Sequence, residues 1–398
     1  MKRSLRLPQN NYLYYWFFRP HMRIAVIRQK FVNYGGAEQF VSGYTNQLAS
    51  MGHAVHIFAN QWTPSNHPNI KIHAVRAIKR NSFLRVLSFA WFALRSTSSK
   101  SFDIVQSHER TWSQDVYRAG DGCHREWLER RARYLPFVKR LLFRFSFFHQ
   151  LILALEKRIF ENGECKKIIA ISEMVKRDIL KHYQLPEDRV RLVYNGVDLH
   201  RFNPSNRKSF RGELRQQLRI SDEEVMILFV GSGFERKGLE YLIKSVQHVK
   251  QKNWRLVLVG KGKWKRYLDF ASKENRGKIT HLEPIDEIEK LYAAADFFVL
   301  PSIYEPFGNA NLEALASGLP IITSRNCGVA EIITPQKEGI ILEEPSDSEA
   351  MAKAIDYLMD SKTREPMRQS ARLLAEKFTQ ERNASEMLQI YQELIEHK

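Results

Sequence analysis

Two carboxylates, Glu305 and Glu313, stand on either side of a turn that opens a helix. An apolar strand, residues 297–301, precedes the turn, and leucine and alanine recur after it at helical spacing. The amides of residues 307–309 should therefore lie at a helix N-terminus, where unpaired N–H groups and the helix dipole attract an anion. A phosphate held by Phe307, Gly308 and Asn309 would leave both carboxylates free to accept hydrogen bonds from sugar hydroxyls. We expect the two glutamates to flank that phosphate, because facing it would be repulsive.

A second segment of the same kind runs Gly-Ser-Gly-Phe-Glu-Arg-Lys-Gly over residues 231–238, between a predicted strand and a predicted helix. Glycines let the backbone approach a ligand closely. Arg236 and Lys237 could neutralise a departing phosphate, and cations placed where leaving-group charge develops are a major catalytic contribution. A solvated basic loop is the alternative, since the whole chain is basic.

The first half of the chain offers weaker candidates, each of which also fits an ordinary turn. Gly35 and Gly36 follow the first predicted strand and precede a helix. Asp121 lies in Arg-Ala-Gly-Asp-Gly, with His124 three residues later, and Asn195 opens Asn-Gly-Val-Asp after another strand. These residues would matter if the fold brings them to the segments described above.

Metal-ligand patterns are absent from the sequence. No Asp-x-Asp triplet occurs, and such carboxylates are what a metal-bound diphosphate needs. The three cysteines are widely spaced and odd in number, which fits buried thiols in a reducing compartment. We therefore predict no metal and no cofactor.

The order of predicted elements indicates an α/β protein with parallel sheets in two domains, which 398 residues can supply. Ligands of such sheets bind at the carboxyl ends of the strands, where the motifs fall. The predicted divisions are an N-terminal extension, a first domain, a polar linker, a second domain and a final helix: residues 1–21, 22–202, 203–222, 223–376 and 377–398.

From residue 22 onward the chain resembles the retaining glycosyltransferases of the GT-B fold that carry an E-x7-E motif (the GT4-like family), in the lipopolysaccharide core glucosyltransferase branch. The resemblance rests on residues 305–313 and 231–238. It implies two Rossmann-like doubly wound domains facing a central cleft, with the last helix crossing back to the first domain. It also implies that the donor, a nucleotide sugar, is a co-substrate.

The resemblance gives the candidate residues roles. Glu305 would contact the donor hexose, Glu313 the ribose, and residues 307–309 the diphosphate, while Asp121, or alternatively His124, would face the sugar from the first domain. Many relatives place an arginine where Ser232 stands, so Arg236 would have to provide the second cation. The implied catalytic set is Asp121, Arg236, Lys237 and Glu305. The implied donor-binding set is Gly35, Gly36, Ser232, Leu282, Phe307, Gly308, Asn309 and Glu313, with His124 and Asn195 as possible additions.

The net charge of +18 predicts an anionic partner. Residues 124–158 carry nine basic and three acidic side chains interleaved with aromatic ones, and residues 79–95 are a smaller version. Such segments suit an anionic membrane surface, although a core helix with snorkelling basic side chains or a nucleic-acid surface is also compatible. Residues 12–18 are an aromatic run that is either an interfacial anchor or lies upstream of the true start.

The resemblance, together with the basic aromatic segments, implies a bacterial enzyme that is cytoplasmic and peripherally bound to the inner face of the membrane. It would transfer a hexose from a UDP-sugar to a glycolipid, with the lipopolysaccharide inner core as the expected acceptor and no nucleic acid as partner. A mannosyl- or other hexosyltransferase of another surface glycolipid pathway is one alternative. An epimerase or phosphorylase of the same two-domain form, or a nucleic-acid-binding protein, would leave the basic aromatic segments or the glutamate pair unexplained.

Overall fold

The structure, a computed structural model, describes residues 21–32, 36–98, 100–136, 140 and 145–396. The aromatic run at residues 12–18, Gly35, and much of the basic stretch between residues 137 and 144 lie outside these residues. The chain forms two α/β domains, each built on a wholly parallel sheet.

The first domain has a seven-stranded sheet in the order β5-β3-β1-β6-β7-β8-β9, with a two-stranded ribbon, β2 and β4, beside it. Its central strands are apolar and buried on both faces, as parallel strands covered by helices must be. The strands are β1 Arg23–Ile27, β2 Lys30–Phe31, β3 Ala54–Ala59, β4 Gln61–Trp62, β5 Ile70–Ala74, β6 Ile104–Ser107, β7 Val116–Arg118, β8 Lys167–Ala170 and β9 Val190–Leu192. The helices are α1 Gly36–Ser50, α2 Ser82–Ser98, α3 His124–Arg133, α4 Phe147–Glu161 and α5 Glu173–His182, with a 3₁₀ turn at Glu187–Arg189.

The second domain has a six-stranded sheet in the order β12-β11-β10-β13-β14-β15. Its strands are β10 Val225–Val230, β11 Trp254–Val259, β12 Ile279–Leu282, β13 Phe297–Leu300, β14 Ile321–Ser324 and β15 Gly339–Leu342. Its helices are α6 Asn206–Gln217, α7 Leu239–Ser245, α8 Lys273–Arg276, α9 Ile288–Ala294, α10 Asn309–Ala316, α11 Ser348–Met359 and α12 Ser361–Ala375, with 3₁₀ turns at Lys265–Phe270 and Gly328–Glu331. The predicted α/β architecture with two Rossmann-like domains is confirmed.

The predicted linker, residues 203–222, contains helix α6, which packs against α9 of the second domain. Arg211 and Arg215 donate to Asp296, a buried carboxylate at the start of β13. Burial tends to raise the pKa of Asp296, but the neighbouring arginines outweigh this and lower it. The polar composition of the segment therefore reflects a helix that binds a buried charge.

The last helix, α13 Gln380–Glu396, crosses back to the first domain as predicted. Its buried face, including Met387, Leu388 and Tyr391, joins the core formed by α1 and the first sheet. The Tyr391 hydroxyl donates to Gln106 on β6 and is hydrogen-bonded to the hydroxyl of Tyr44 on α1. The chain thus leaves the first domain, forms the second domain, and returns through α13 to pack on the first domain.

The three cysteines are buried and free, as the sequence predicts. Among the residues described, no helix combines the length and the apolar character required to cross a bilayer.

Candidate active site

A cleft of about 670 Å³ lies between the two domains, at the carboxyl ends of both sheets. In the first sheet, β1 and β6 are neighbours at the point where the strand order reverses, and β10 and β13 occupy the same position in the second. Crevices at such switch points are where open α/β sheets bind ligands. The segments after β10 and β13 are the two motifs found in the sequence.

Glu305 forms the centre of the second-domain wall. Its Oε2 accepts from Lys237 Nζ at 3.0 Å and lies 3.1 Å from Arg236 Nη1. Burial alone would raise the pKa of Glu305, but the Arg236 and Lys237 charges outweigh it and lower the pKa to about 2. Glu305 is therefore ionised, and the two cations hold it in place beside the cleft.

The N-terminus of α10 opens into the same space. Phe307, Gly308 and Asn309, which the sequence predicts to form a phosphate-binding turn, all line the cleft. Gly308 has φ +95°, and a Cβ there would lie 2.7 Å from Asn311 Nδ2 and 2.8 Å from Cys327 Sγ. The sequence needs glycine at this position because both the backbone conformation and the space exclude a side chain.

Glu313 lies one turn into α10 and lines both the cleft and an adjoining cavity of about 970 Å³. The hydroxyl of Tyr292 donates to its Oε2 at 2.8 Å. Burial raises the pKa of Glu313. The two glutamates thus stand in different environments, Glu305 between cations and Glu313 beside a neutral hydroxyl.

The loop after β10 folds back on itself, so that the Lys237 side chain lies close to Gly231, the first residue of the loop. Ser232 lines the cleft, and its hydroxyl accepts from the Lys261 N–H at 3.0 Å. Gly238 has φ +73°, and a Cβ there would collide with the carbonyl of Pro301 at the end of β13. Glycine at this position lets the loop lie against the neighbouring strand, which places Lys237 next to Glu305.

The first-domain wall includes residues that follow β1, β6 and β7, and several of them were not predicted from the sequence. Arg28, directly after β1, lies 3.6 Å from Glu38 and 3.4 Å from Glu109. Arg110, after β6, donates to the fully buried Glu156 at 2.8 Å and lies 3.8 Å from Asp121. Polar residues placed directly after buried strands at a switch point were the signal available in the sequence.

Asp121 and His124 both line the cleft, as predicted. The Asp121 side chain is about half exposed, so its carboxylate is accessible from the cleft. His124 Nε2 lies 3.0 Å from His149 Nδ1, and burial lowers the pKa of His124 to about 3, which keeps the ring neutral. The Asp121 carboxylate can therefore accept hydrogen bonds from a ligand, and the neutral His124 ring lies beside it in the cleft.

Asn195 connects the two walls. It accepts from Arg118 Nη2, and its Nδ2 donates to Asn309 Oδ1 at 2.5 Å. The chain crosses between domains beside it, since the Val197 N–H donates to the Phe378 carbonyl at 2.9 Å. Asn195, predicted as a possible donor-binding residue, therefore lies in the cleft and at the hinge between the domains.

One predicted donor-binding residue, Leu282, does not line the cleft. Leu282 ends β12, and its carbonyl accepts from the N–H of Gly260 at 3.1 Å. Gly260 itself lines the cleft. Gly36 begins α1, and residues 38–41 of that helix line the cleft. Gly35 lies outside the described residues.

Direct contacts close the domains over the cleft. The Tyr304 hydroxyl donates to Asp178 Oδ2 at 3.0 Å and accepts from the Cys123 N–H at 3.0 Å. The guanidinium of Arg130 lies over the Tyr304 ring, 5.1 Å from its centroid, and donates to Asn326 at 2.9 Å. Both domains therefore contribute to one buried polar junction beside the site.

One group of possible metal ligands occurs among the described residues, and it does not line the cleft. Glu126, Glu129 and His182 bring ligand atoms within 4.8 Å of one another. Glu126 already accepts from Arg130 at 2.8 Å and Lys181 at 2.8 Å. Although burial opposes it, these donors lower the pKa of Glu126 to about 2, so the group is satisfied as an ion-pair network.

The sequence matches two family descriptions, Glycosyltransferase Family 4 over residues 34–201 and Glycosyl transferases group 1 over residues 210–374. An uncharacterized glycosyltransferase of Methanocaldococcus jannaschii is 27% identical over 94% of this chain and 99% of that protein. The lipopolysaccharide glucosyltransferase WaaG of Escherichia coli is 25% identical over 87% of this chain and 91% of its own length.

Solved structures agree in fold. A crystal structure of WaaG superposes with a TM-score of 0.82 at 24% identity, over 92% of this chain and 99% of that one. HepE of Anabaena, solved with UDP and glucose, gives a TM-score of 0.71 at 17% identity, over 94% and 100%. These matches cover both domains and the cleft between them, and the chain therefore belongs to the GT4-like glycosyltransferases of the GT-B fold.

Proposed function

We propose that the protein is a retaining, metal-independent hexosyltransferase that uses a UDP-sugar and glycosylates a glycolipid, with the inner core of lipopolysaccharide as the acceptor. The observation that carries the proposal is the arrangement of Glu305, Lys237 and Arg236 beside the N-terminus of α10. A diphosphate at that N-terminus places the sugar against Glu305 and the ribose against Glu313. The relationship to WaaG supports the acceptor, and the UDP bound to HepE supports the base.

In the proposed reaction the acceptor hydroxyl attacks the anomeric carbon from the face that the diphosphate leaves. The bond from that carbon to the β-phosphate oxygen breaks, a bond to the acceptor oxygen forms, and the hydroxyl proton passes to the departing phosphate oxygen. Lys237 and Arg236 stabilise the charge that develops there. Glu305 and Asp121 accept hydrogen bonds from sugar hydroxyls, and the closed cleft excludes water, whose attack would hydrolyse the donor.

The test is incubation with a panel of UDP-, GDP- and ADP-sugars in the absence of acceptor, with released nucleoside diphosphate as the readout. Slow hydrolysis of a UDP-hexose is expected, since water can replace the acceptor at low rate. NMR of the first-formed sugar should show the anomeric configuration of the donor. Failure to bind or hydrolyse any of these donors would contradict the proposal.

Metal independence has its own test. EDTA should leave most of the transferase activity in place, because in the proposal the helix terminus, Arg236 and Lys237 provide the diphosphate contacts. Activity that is lost on chelation and restored by manganese or magnesium would overturn this part of the proposal.

We further propose that the first domain binds the cytoplasmic face of an anionic membrane through an aromatic patch formed by Trp91, Phe145 and Phe147. These side chains are 51%, 70% and 83% exposed and lie on or beside α2 and α4, which pack together. Arg95 lies 5.9 Å from the Trp91 ring centroid. Exposed aromatic side chains with neighbouring basic ones suit the headgroup region of a bilayer.

Two of the basic residues expected at the membrane have other partners. Arg131 donates to Glu235 of the second domain at 2.8 Å, and Arg130 belongs to the polar junction. Replacing either would disturb domain closure, so the membrane test should use the aromatic patch.

Changing all three residues of the aromatic patch to Ser should reduce sedimentation with anionic vesicles and leave UDP binding unchanged. The matched control replaces Tyr357 and Leu373, exposed apolar residues of the second domain, with Ser. Salt should weaken binding of the unaltered protein without abolishing it, because only the charged part is screened. Equal binding by the patch variant and the control would refute the proposal.

A further inference from the structure

Three arginines of the first-domain wall line the cleft, and they differ in their counter-charges. Arg28 and Arg110 each lie within 4 Å of two carboxylates. For Arg118, at the end of β7, no ion pair is formed with any carboxylate in the described part of the chain. One buried cation of this wall therefore lacks an anionic partner.

Arg118 is almost completely buried, with 3% of its surface exposed. Its guanidinium carbon lies 4.0 Å from the centroid of the Phe40 ring, and Nη2 donates to Asn195. Within the described residues, the buried Nε has no hydrogen-bond partner. Nη1 faces Gly120, since a Cβ on that glycine would lie 3.4 Å from it, and Gly120 lines the cleft.

A buried guanidinium without an anion is unfavourable, because it has lost water and gained no opposite charge. Stacking on Phe40 offsets part of this loss. The part of the lost hydration that stacking does not offset appears in the pKa of Arg118, which burial lowers to about 9. An anion entering the cleft beside Gly120 would supply the missing charge and would accept from the open donors.

The position of Arg118 indicates which anion. Through Asn195 it is joined to Asn309, the first residue of α10, whose N-terminus opens into the same cleft. On the opposite wall, Lys237 and Arg236 share the ionised Glu305, so that cluster has a net charge of +1. A departing nucleoside diphosphate carries more than one negative charge, and a further cation from the first domain would complete its neutralisation.

We propose that Arg118 binds the diphosphate of the donor from the first domain, so that full neutralisation of the leaving group requires both domains. This inference rests on the proposed function, because it needs a nucleotide-sugar donor. It assigns Arg118 to the substrate and gives Asn195 the task of holding its guanidinium toward α10. Donor binding and domain closure would then be favoured by the same contact.

The experiment is calorimetry of the full-length protein with UDP and with uridine, comparing the unaltered chain with Arg118→Gln and Arg118→Lys. Glutamine keeps a donor for Asn195 but removes the charge. We expect Arg118→Gln to weaken UDP binding by roughly tenfold to a hundredfold, the range for one charge-assisted hydrogen bond, and to leave uridine binding unchanged. Arg118→Lys should recover part of the UDP affinity.

The matched control is Arg189→Gln. Arg189 also belongs to the first domain and donates to the carbonyls of Phe160 and Cys165, but it does not line the cleft. It should alter the melting temperature without changing the ratio of UDP to uridine affinity. Equal losses of UDP and uridine affinity in Arg118→Gln would assign Arg118 a structural role and overturn the proposal.

Two other results separate this inference from the proposed function. If the unaltered protein binds UDP and Arg118→Gln binds it equally well but loses affinity for a phosphorylated glycolipid acceptor, the anion belongs to the acceptor and our assignment is wrong. If the unaltered protein binds neither UDP nor GDP nor ADP, the proposed function itself fails.

Discussion

The two walls of the cleft are built in different ways. The second-domain wall includes two short segments, residues 231–238 and 305–313, and Arg236 and Lys237 of the first segment converge on one carboxylate of the second, Glu305. The first-domain wall collects single residues from the ends of several strands, and Arg28 and Arg110 are paired with carboxylates behind the surface. The second-domain wall presents charges to the cleft, whereas much of the charge of the first-domain wall forms ion pairs within that domain.

This difference has an energetic consequence. Removing a charge from the second-domain wall should affect the ligand more than the fold, because Glu305 keeps a second cation. Removing Arg110 from the first-domain wall leaves a buried carboxylate without its counter-charge, which is costly for the folded protein. Variants of the two walls should therefore separate into losses of activity and losses of stability.

The largest expected effect is on stability. Arg110→Met should lower the free energy of unfolding by about 3–5 kcal/mol, the range for breaking a buried ion pair, because Glu156 is fully buried. Urea denaturation measures it. The control Arg158→Met breaks a half-exposed pair with Glu164 and should lower the free energy by less than about 1 kcal/mol. Similar losses in the two variants would remove the distinction between the walls.

Lys237→Ala should lower turnover by about a hundredfold or more with an unchanged melting temperature, because a cation at the leaving group is lost. Steady-state kinetics with the donor found in the hydrolysis screen measures it. Lys244→Ala, which breaks an ion pair with Glu240 outside the cleft, is the control and should keep normal turnover. Near-normal turnover in Lys237→Ala would show that the leaving group has other partners.

Glu313→Ala should weaken UDP binding by about tenfold while changing turnover of bound donor little, since a ribose contact is made equally before and during the reaction. Calorimetry with UDP tests the first part. Tyr292→Phe removes the hydroxyl that donates to Glu313 but keeps the carboxylate, so its effect should be smaller. Unchanged affinity in Glu313→Ala would contradict the ribose assignment.

The smallest expected effect concerns the junction between the walls and depends on pH. Burial raises the pKa of Asp178 to about 6, although the Arg130 charge opposes it. A carboxyl with a raised pKa in the folded state stabilises that state at low pH, and the contribution is lost as pH rises through 6. The stability difference between the unaltered protein and Asp178→Asn should therefore shift by about 1 kcal/mol between pH 5 and pH 7.5.

Melting curves of both proteins across this range measure the shift. The pH-dependent part should favour the unaltered protein at pH 5, where Asp178 is protonated beside the Tyr304 hydroxyl. A difference that stays constant with pH would mean that Asp178 remains ionised in the junction.

The sequence was most informative where function depends on short segments. Glu305, Glu313 and residues 231–238 could be identified because neighbouring residues, a strand before and a helix after, fix their positions relative to one another. Arg28 and Glu109 could not be paired in advance, since 80 residues separate them and only the sheet order brings their strands together. The first-domain wall depends on long-range contacts, and its residues were therefore predicted less completely from the sequence.

The fold itself followed from apolar strands alternating with helices, and the exceptions have physical reasons. Strands β2 and β4 have two residues each and β7 has three, too few for a periodic pattern to be recognised. Strands β5 and β15, which were also not predicted, lie at the edges of their sheets. Helix α6 was interpreted as part of a linker because residues 203–222 are polar and basic, contain Pro204 and Gly212, and show no strand pattern. Phe210, Leu214 and Leu218, spaced four residues apart, were the signal that a helix packs there.

Helix α13 makes the first domain depend on the order of synthesis, because it packs on the first domain but follows the second domain in the chain. The first domain emerges from the ribosome before the second, whereas the helix that covers Tyr44 and Leu48 is made only after the whole second domain. Until then the apolar face of α1 remains uncovered, and a fragment ending near residue 202 would expose it to solvent and to other chains. The core of the first domain therefore cannot be completed until the second domain and α13 have been synthesised, although each domain has its own sheet.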